Sequence, residues 1–474
     1  MSSRRRKSTT ACMILAAGKG TRMNSAQNKV LHTLLGAPMV AYPVDSARGL
    51  GAAPIVAVLG HQKAEVAKAL DDRFGSGCVT VVEQKVQKGT GHAVRLGLAP
   101  LSRFDGLVVI LCGDAPLLRT ETLAQLVLQA RKSRGLAMLT SVVGDPTGYG
   151  RIVRDEAGKI RAVVEHKDAT SVQHRIAEVN AGIYAAPAEF LRKATAKLSA
   201  RNAQGEYYLT DIVAQAAATI GVVSVDVSAE EMSGVNDRAQ LVAAEKILAG
   251  RIVREHMKHA TFRAPDQVVV EPLVTIAPDA EIGRNVVLRG RTQIGAFARI
   301  DDGCILTDTV VGKGAHVLPY CVSSQAVIGE NNKIGPFAHL RPGTLLAADV
   351  HVGNFVETKK TQLGRGSKAN HLTYLGDTIV GEKVNVGAGT ITCNYNGFEK
   401  RQTIIEDGAF IGSDTQLVAP VRVGKRAVVA AGATITEDVR DGALAISRAP
   451  CKQVDGYADR LAERYAGLKK KTAR

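Results

Sequence analysis

Tryptophan is absent from the 474 residues, and all aromatics together make up only 4%. A core built without them must be filled by Val, Ile and Ala, and 47 glycines point to an architecture with many tight turns. Cysteine is sparse: seven, odd in number and with no Cys-x-x-Cys pair. That excludes a disulfide framework and a thiolate zinc site, and it suits a reducing, cytoplasmic location. No apolar run approaches the roughly 18 residues of a membrane span, so no membrane partner is expected. The opening "RRRKSTTACMILAAG" imitates a signal peptide. Its apolar stretch, Ala11 to Ala17, is at the lower limit of length and reads better as a first buried strand.

What the chain has in excess is positive charge, +16 overall. Part of it sits in "SSRRRKSTT" and "LKKKTAR", which read as solvated tails. The remainder suits nucleic acid, a membrane surface or anionic small substrates alike. No recognised nucleic-acid motif accompanies it, so no nucleic-acid partner is expected. The hydrophobic share of 45% and charged share of 22% are those of an ordinary soluble protein, long enough for two or three domains.

The two halves differ in grammar. After a basic tail over residues 1–10, residues 11–236 alternate strand-like runs ("CMILAAG", "PIVAVLG", "LVVILCGD") with helix-like ones ("HQKAEVAKALDDRF", "TETLAQLVLQARKS"). Strand, helix, strand in succession predicts an α/β domain with a mostly parallel, Rossmann-like sheet, whose ligands bind beyond the C-terminal strand ends. Residues 237–262 predict one long linker helix, with Leu241, Ala244, Leu248 and Ile252 on its apolar face.

From 263 to 446 a six-residue repeat takes over. Ile276, Ile282, Leu288, Ile294, Ile300 and Leu306 stand six apart, as do Ile328, Ile334, Leu340, Leu346 and Val352. Ile411, Leu417, Val423, Val429 and Ile435 do the same, and glycine often follows. Period six would scatter these residues around a helix, whereas short strands with a turn every six residues stack them inside a triangular coil. The pattern resembles the hexapeptide-repeat, left-handed parallel β-helix proteins. Residues 447–474 close the chain as a basic segment.

Near the start, Gly18-Lys19-Gly20-Thr21 lacks the upstream glycine of a P-loop, and Gly18, Gly20 and Met23 miss G-x-G-x-x-G. Its glycines would still let backbone N–H groups approach a phosphate, with Lys19 and Arg22 adding charge. A bare glycine turn is the plain alternative. The loop has company in "NKVLH", "GTGHA", "GDAPL" and "GYGRI", and together these resemble the sugar-1-phosphate nucleotidyltransferases. With "VEHKDAT", "NAQGEYYLTDI" and the repeats added, the chain from about 11 to 450 resembles the bacterial bifunctional N-acetylglucosamine-1-phosphate uridyltransferase / glucosamine-1-phosphate N-acetyltransferases.

That resemblance implies two sites. In the first, UTP and N-acetylglucosamine 1-phosphate react with Mg²⁺ present. Asp114, just past a strand end, is placed to hold the metal, and Asn236 matches its second ligand. Asn236 also reads as the N-cap of the linker helix. Leu15, Ala16, Ala17, Gly18 and Lys29 match nucleotide-phosphate positions, and Gln84, Gly89 and Thr90 match those that read uracil. Gly113, Gly150, Glu165 and Asn180 match the sugar pocket. The chain departs from the family's common pattern at Asn28 (proline), Cys112 (tyrosine) and Ala181 (threonine).

In the second, glucosamine 1-phosphate takes an acetyl group from acetyl-CoA. An amine must be unprotonated to attack, and histidine is a base of suitable strength. His371 matches the general base, and Arg341, Lys359, Tyr374 and Asn385 match sugar-phosphate contacts. Ala388, Asn394, Tyr395, Ser413, Ala431 and Arg448 match acetyl-CoA contacts, with the Ala388 N–H facing the tetrahedral oxyanion. Lys400 has no counterpart in the pattern. Shared sites imply a homotrimer, and the basic C-terminal segment reads as a solvated tail or a CoA-phosphate contact. The product is UDP-N-acetylglucosamine, a cell-wall precursor. A nucleotidyltransferase whose β-helix only oligomerises is the competing reading, and a nonenzymatic binding protein a third.

Overall fold

The computed structural model describes residues 9–472, with side chains to 466. Of the expected basic tail only Thr9 and Thr10 lie within the described residues, and Thr10 already opens the first strand, Thr10–Ala16. The chain forms two compact units, divided between 252 and 253.

In the first unit Thr10–Ala16 is the centre of the sheet, with Ile55–Leu59 and Leu107–Cys112 parallel on either side. Strand Ile55–Leu59 is buried along its whole length, as a parallel strand covered on both faces must be. Side chains of the central strand alternate between two apolar layers, Cys12, Ile14 and Ala16 into one and Ala11 and Met13 into the other. The order continues through Glu178–Pro187, Leu136–Val142 and Val222–Asp226. Glu178–Pro187 runs antiparallel to both neighbours and carries a bulge between Asn180 and Tyr184, so the sheet is parallel with one reversed strand. A hairpin of Arg151–Arg154 and Ile160–Val164 attaches where Arg151 pairs with Val179.

Helix Arg238–His256 is shorter than the expected linker, because Thr261–Phe262 already forms the first rung of the repeat domain. Within the first unit it buries Ala244, with Leu241 and Leu248, against Leu34, Ala37 and Met39. Arg251 donates to the Leu117 carbonyl at 2.6 Å.

In the second unit each short strand up to the last coil pairs in parallel with the third strand after it, which builds three sheets of 11, 10 and 9 strands around one axis. This is a three-faced parallel β-helix. The aliphatic residues of all three sixfold series are buried in it. Between Leu306 and Ile328 the inward-facing series continues through Val311, Val317 and Ser323, with a five-residue step at each end joining it to the runs on either side. The C-terminal stretch read as a solvated tail is helical over Tyr457–Thr472. Ala, Arg, Glu and Leu favour helix there, and the described side chains remain exposed.

Leu288 is fully buried between Val270 and Leu306 of the adjoining coils, whereas its neighbour Arg289 is exposed. Leu288→Ala is expected to cost about 2–5 kcal/mol, because a stacked column cannot collapse around the cavity. Arg289→Ala should stay within about 0.5 kcal/mol. Urea denaturation followed on the β-helix separates the two.

Candidate active sites

In the first unit the C-terminal ends of the three central strands share one edge, since Leu15 is in register with Cys112 and Ala16 with Leu59. This edge carries Leu15, Ala16, Ala17 and Gly18 beside Gly113 and Asp114. The Gly113 N–H donates to Leu15 O at 2.9 Å, and a Cβ on Gly113 would press into Ala16. Nothing lies within 4 Å of where a Gly18 side chain would begin, so the loop backbone there is open.

Gly20 adopts φ 63°, and a Cβ on it would collide with the stem of Lys29. The glycine thus lets Lys29 pass under the loop. Its Nζ lies 2.5 Å from Asp114 Oδ2 and 3.2 Å from Asn236 Oδ1, while Arg22 donates to the same Asn236 oxygen at 2.8 Å. Asn236 is not the helix cap that sequence also allowed. Asp237 takes that role, accepting from the Gln240 N–H at 2.8 Å, and leaves the Asn236 amide oxygen to face the two cations. Asp114 and Asn236 are hard oxygen donors converging on a point where a positive group already sits. That donor set fits Mg²⁺, which prefers one or two protein oxygens plus phosphates to a full protein cage. Among the described residues no three His, Cys, Asp or Glu side chains gather as such a cage.

Asp114 and Asn236 also line a pocket of about 360 Å³ with Arg22, Cys112, Gly150, Glu165, Asn180 and Ala181. Val235 N–H donates to Asp114 O at 2.8 Å and fixes the Asn236 side of the pocket. On the other side the Asn180 N–H donates to Gly150 O at 2.9 Å, while its side chain bonds Tyr184 Oη and the Gly182 N–H. Glu165 accepts from the Thr210 hydroxyl at 3.0 Å, and burial pushes its carboxyl above the usual range. Burial likewise raises the Cys112 thiol, so it faces the pocket as a neutral group.

Gln84, Gly89 and Thr90 gather at the start of helix Thr90–Gly97. Gln84 is buried and donates to Gly89 O at 3.2 Å, and Gly89 has φ 95° because a side chain would meet the Tyr207 backbone. Thr90 accepts from the Leu209 N–H at 3.1 Å.

On the β-helix the expected residues separate into two groups. Asn354 and His371 are register partners on the first face. The same register carries His371 onto Ala388, Ser413 and Ala431, one per coil. Backbone bonds confirm the column: Gly389 N–H to His371 O, Asp414 N–H to Ala388 O, and Gly432 N–H to Ser413 O. Arg448 packs over Gly432 at the far end. Asn385 is on this face too, in register with Lys368 and Phe410. Nδ1 of His371 lies 3.1 Å from Asn354 Oδ1, beside a cavity of about 290 Å³ that also touches Lys333, Pro336, His351 and Asn370.

The second group occupies the far edge of the second face. Arg341 pairs with Glu357 at 2.7 Å. The neighbouring Lys400 ammonium holds the Lys359 ammonium below the usual lysine range. Tyr374 begins that face beside the His371 corner, but its hydroxyl reaches across to Gly376, where any Cβ would strike it. Asn394 donates to Asp377 at 2.5 Å. Tyr395 stands on a loop closed by its bridge to Lys400, with Phe398 almost fully exposed at the tip. One chain therefore sets His371 and its column on the first face and Arg341, Lys359 and Asn394 at the far edge of the second.

Sequence reading missed Asn354, Asp377, Thr210 and Tyr149. Asn354 was within reach: it precedes His371 by 17 residues, the same spacing as one coil of the register. Thr210 was not, because it meets Glu165 from 45 residues away.

Because its folded pKa is raised, the ionised Glu165 carboxyl opposes folding: stability is highest below the unfolded carboxyl range and falls as pH rises through the raised folded value. Glu165→Gln should melt increasingly above the parent from pH 4 to pH 8, in paired calorimetric scans. An advantage independent of pH would contradict the assignment.

Three family profiles match the chain: the MobA-like NTP transferase domain over residues 12–185, the GMPPB C-terminal domain over 264–362, and the bacterial transferase hexapeptide (six repeats) over 402–437. Curated relatives match over nearly their full length. The bifunctional protein GlmU of Sorangium cellulosum is 52% identical over 97% of this chain and 98% of its own. Those of Pelobacter propionicus and Acinetobacter baylyi are 47% and 48% identical, over 95% and 93% of this chain and 98% and 96% of theirs. With a nucleotidyltransferase sheet and a hexapeptide β-helix in one polypeptide and this likeness along both, the chain belongs to the GlmU family of bifunctional uridyltransferase–acetyltransferases.

Proposed function

We propose that the chain makes UDP-N-acetylglucosamine in two steps: acetylation of glucosamine 1-phosphate on the β-helix, then uridylylation in the N-terminal unit. The observation that carries this reading is His371 hydrogen-bonded to Asn354 at the head of a straight column of Ala388, Ser413 and Ala431. A β-helix serving only as a scaffold has no use for it.

An amide oxygen only accepts, so the proton of His371 resides on Nδ1 and the lone pair on Nε2. Nε2 takes the proton as the amine attacks the thioester carbonyl, the C–N bond forms, and the C–S bond breaks to release CoA. The Ala388 N–H is the donor for the oxyanion. The column rises about 4.8 Å per coil, which suits an extended cosubstrate lying along it toward Arg448. Arg341, Lys359 and Lys400 supply the charge for a sugar phosphate, with Tyr374 and Asn385 as its polar surroundings and Asn394 and Tyr395 contacting the acetyl-CoA beside the reacting centre. Since one chain separates Arg341, Lys359 and Asn394 from the His371 column, the reading has each site completed between copies of the chain, in a homotrimer.

In the N-terminal unit the sugar phosphate attacks the α-phosphorus of UTP and pyrophosphate leaves. Alignment and charge neutralisation dominate such a transfer. Asp114 and Asn236 are the residues that would hold Mg²⁺, whose contribution when bound is charge neutralisation at the triphosphate. Lys29 lies between them and the Gly18–Gly20 loop, where its ammonium meets the α-phosphate. Gln84, Gly89 and Thr90 read the base, and Gly113, Gly150, Glu165 and Asn180 enclose the sugar. The setting is the cytoplasm, where all four substrates occur.

Incubation with glucosamine 1-phosphate, acetyl-CoA, UTP and Mg²⁺ should yield UDP-N-acetylglucosamine, free CoA and pyrophosphate by mass spectrometry. His371→Ala should lower the acetyl step by roughly 10²–10⁴ and leave uridylylation of ready-made N-acetylglucosamine 1-phosphate unchanged. Product only from the ready-made sugar in the parent chain would instead establish the scaffold reading. Asp114→Ala is expected to reverse the pattern, abolishing uridylylation while acetylation persists, measured in the two half-assays.

A further inference from the structure

Arg151 is the largest side chain of the fully buried set, at 1% exposure. A buried guanidinium ordinarily faces a carboxylate, because an unpaired charge away from water is costly. Among the described residues none pairs with Arg151. Its Nη1 donates to the carbonyl of Tyr149, two residues before it. Its Nη2 is 3.4 Å from Nδ1 of His166, which must be the acceptor because a guanidinium only donates. Its Nε has no partner. Asp145, held below the usual carboxylate range chiefly by hydrogen bonds from Thr147, senses Arg151 only at longer range.

The position explains what this costly group touches. Tyr149 and Gly150 form one wall of the first-unit pocket, and Glu165, the residue before His166, forms another. Arg151 itself pairs with Val164 and with Val179, the residue before Asn180. One side chain therefore meets the backbone behind Gly150 and the ring behind Glu165, from a strand position that also abuts Asn180. It is too deeply buried to reach a ligand. His166 is steadied on its other side by the edge of His174, with ring centroids 4.7 Å apart.

We propose that Arg151 is a positioning residue for the sugar-phosphate half of the uridyltransferase site: its planar fork ties the Tyr149–Gly150 wall to His166 and thereby sets the spacing between Gly150 and Glu165. The proposal rests on the reading of this pocket as the sugar site. A merely structural residue at this place would be better served by an apolar side chain, since an unpaired buried charge is replaced by hydrophobic volume at little cost or with a gain. Retaining the charge there makes sense where geometry at the pocket outweighs stability.

The test is steady-state kinetics and melting of the full chain carrying Arg151→Met or Arg151→Lys, with N-acetylglucosamine 1-phosphate and UTP varied separately. Arg151→Met should raise KM for the sugar phosphate on the order of tenfold or more, as sub-ångström loosening of a pocket does. KM for UTP and the acetyltransferase rate should stay within about twofold, and the melting temperature should hold or rise. Arg151→Lys, which keeps the charge but loses the fork, should fall between the parent and Arg151→Met in sugar-phosphate KM. An unchanged sugar-phosphate KM in both variants, or a joint rise in both KM values with a lowered melting temperature, would overturn the proposal. Should Arg151→Met fail to fold, an Arg151→Lys enzyme with parental KM values overturns it, and one with only the sugar-phosphate KM raised supports it. A parent chain that makes no UDP-N-acetylglucosamine from the ready-made sugar overturns the substrate reading and this inference together.

Discussion

Parallel pairing of strands in register is the constraint from which both units follow. A parallel strand leaves all its C-terminal ends on one edge, so backbone emerging there from several strands must converge. In the N-terminal unit this brings the Ala17–Gly18 loop beside Gly113 and Asp114, although nearly a hundred residues separate them in the chain. In the β-helix the same pairing acts between successive coils, and any position recurring once per coil becomes a column. Chemistry is assembled in the first case at an edge and in the second along a line.

The two solutions share an economy of bulk. With no tryptophan and few other aromatics, the interior is made of Val, Ile, Leu and Ala layers thin enough for backbones to approach closely. Glycine is used where side chains lie against main chain, as with Gly20 over the Lys29 stem and Gly376 beneath the Tyr374 hydroxyl. Some polar groups inside the β-helix bond to one another, as with the Thr309 and Ser323 hydroxyls, 3.0 Å apart. Arg151, in the first unit, is fully buried, and among the described residues it pairs with no carboxylate.

Charge in the first unit gathers where Lys29 meets the oxygens of Asp114 and Asn236 and Arg22 meets that of Asn236. Glu165 is pushed by burial toward its neutral form.

The hexapeptide period by itself determined the β-helix, because a repeat that no helix can use leaves a short-strand coil as the way to bury its aliphatic residues. Alternating strand and helix runs likewise determined the α/β unit and placed Asp114 at a strand end. Local signals were enough for these, since period and turn chemistry act between neighbours in the chain. Only the tertiary structure decided that Asp237 rather than Asn236 caps the linker helix, because the choice depends on Lys29 and Arg22 arriving from more than 200 residues away. It also decided that the strand carrying Asn180 is reversed, and that Arg151 is buried without an acid. The separation of the His371 column from the Lys359 cluster was decided there too. Which edge of a coil a side chain occupies follows from register across coils, a long-range property that the order of residues in one coil does not encode.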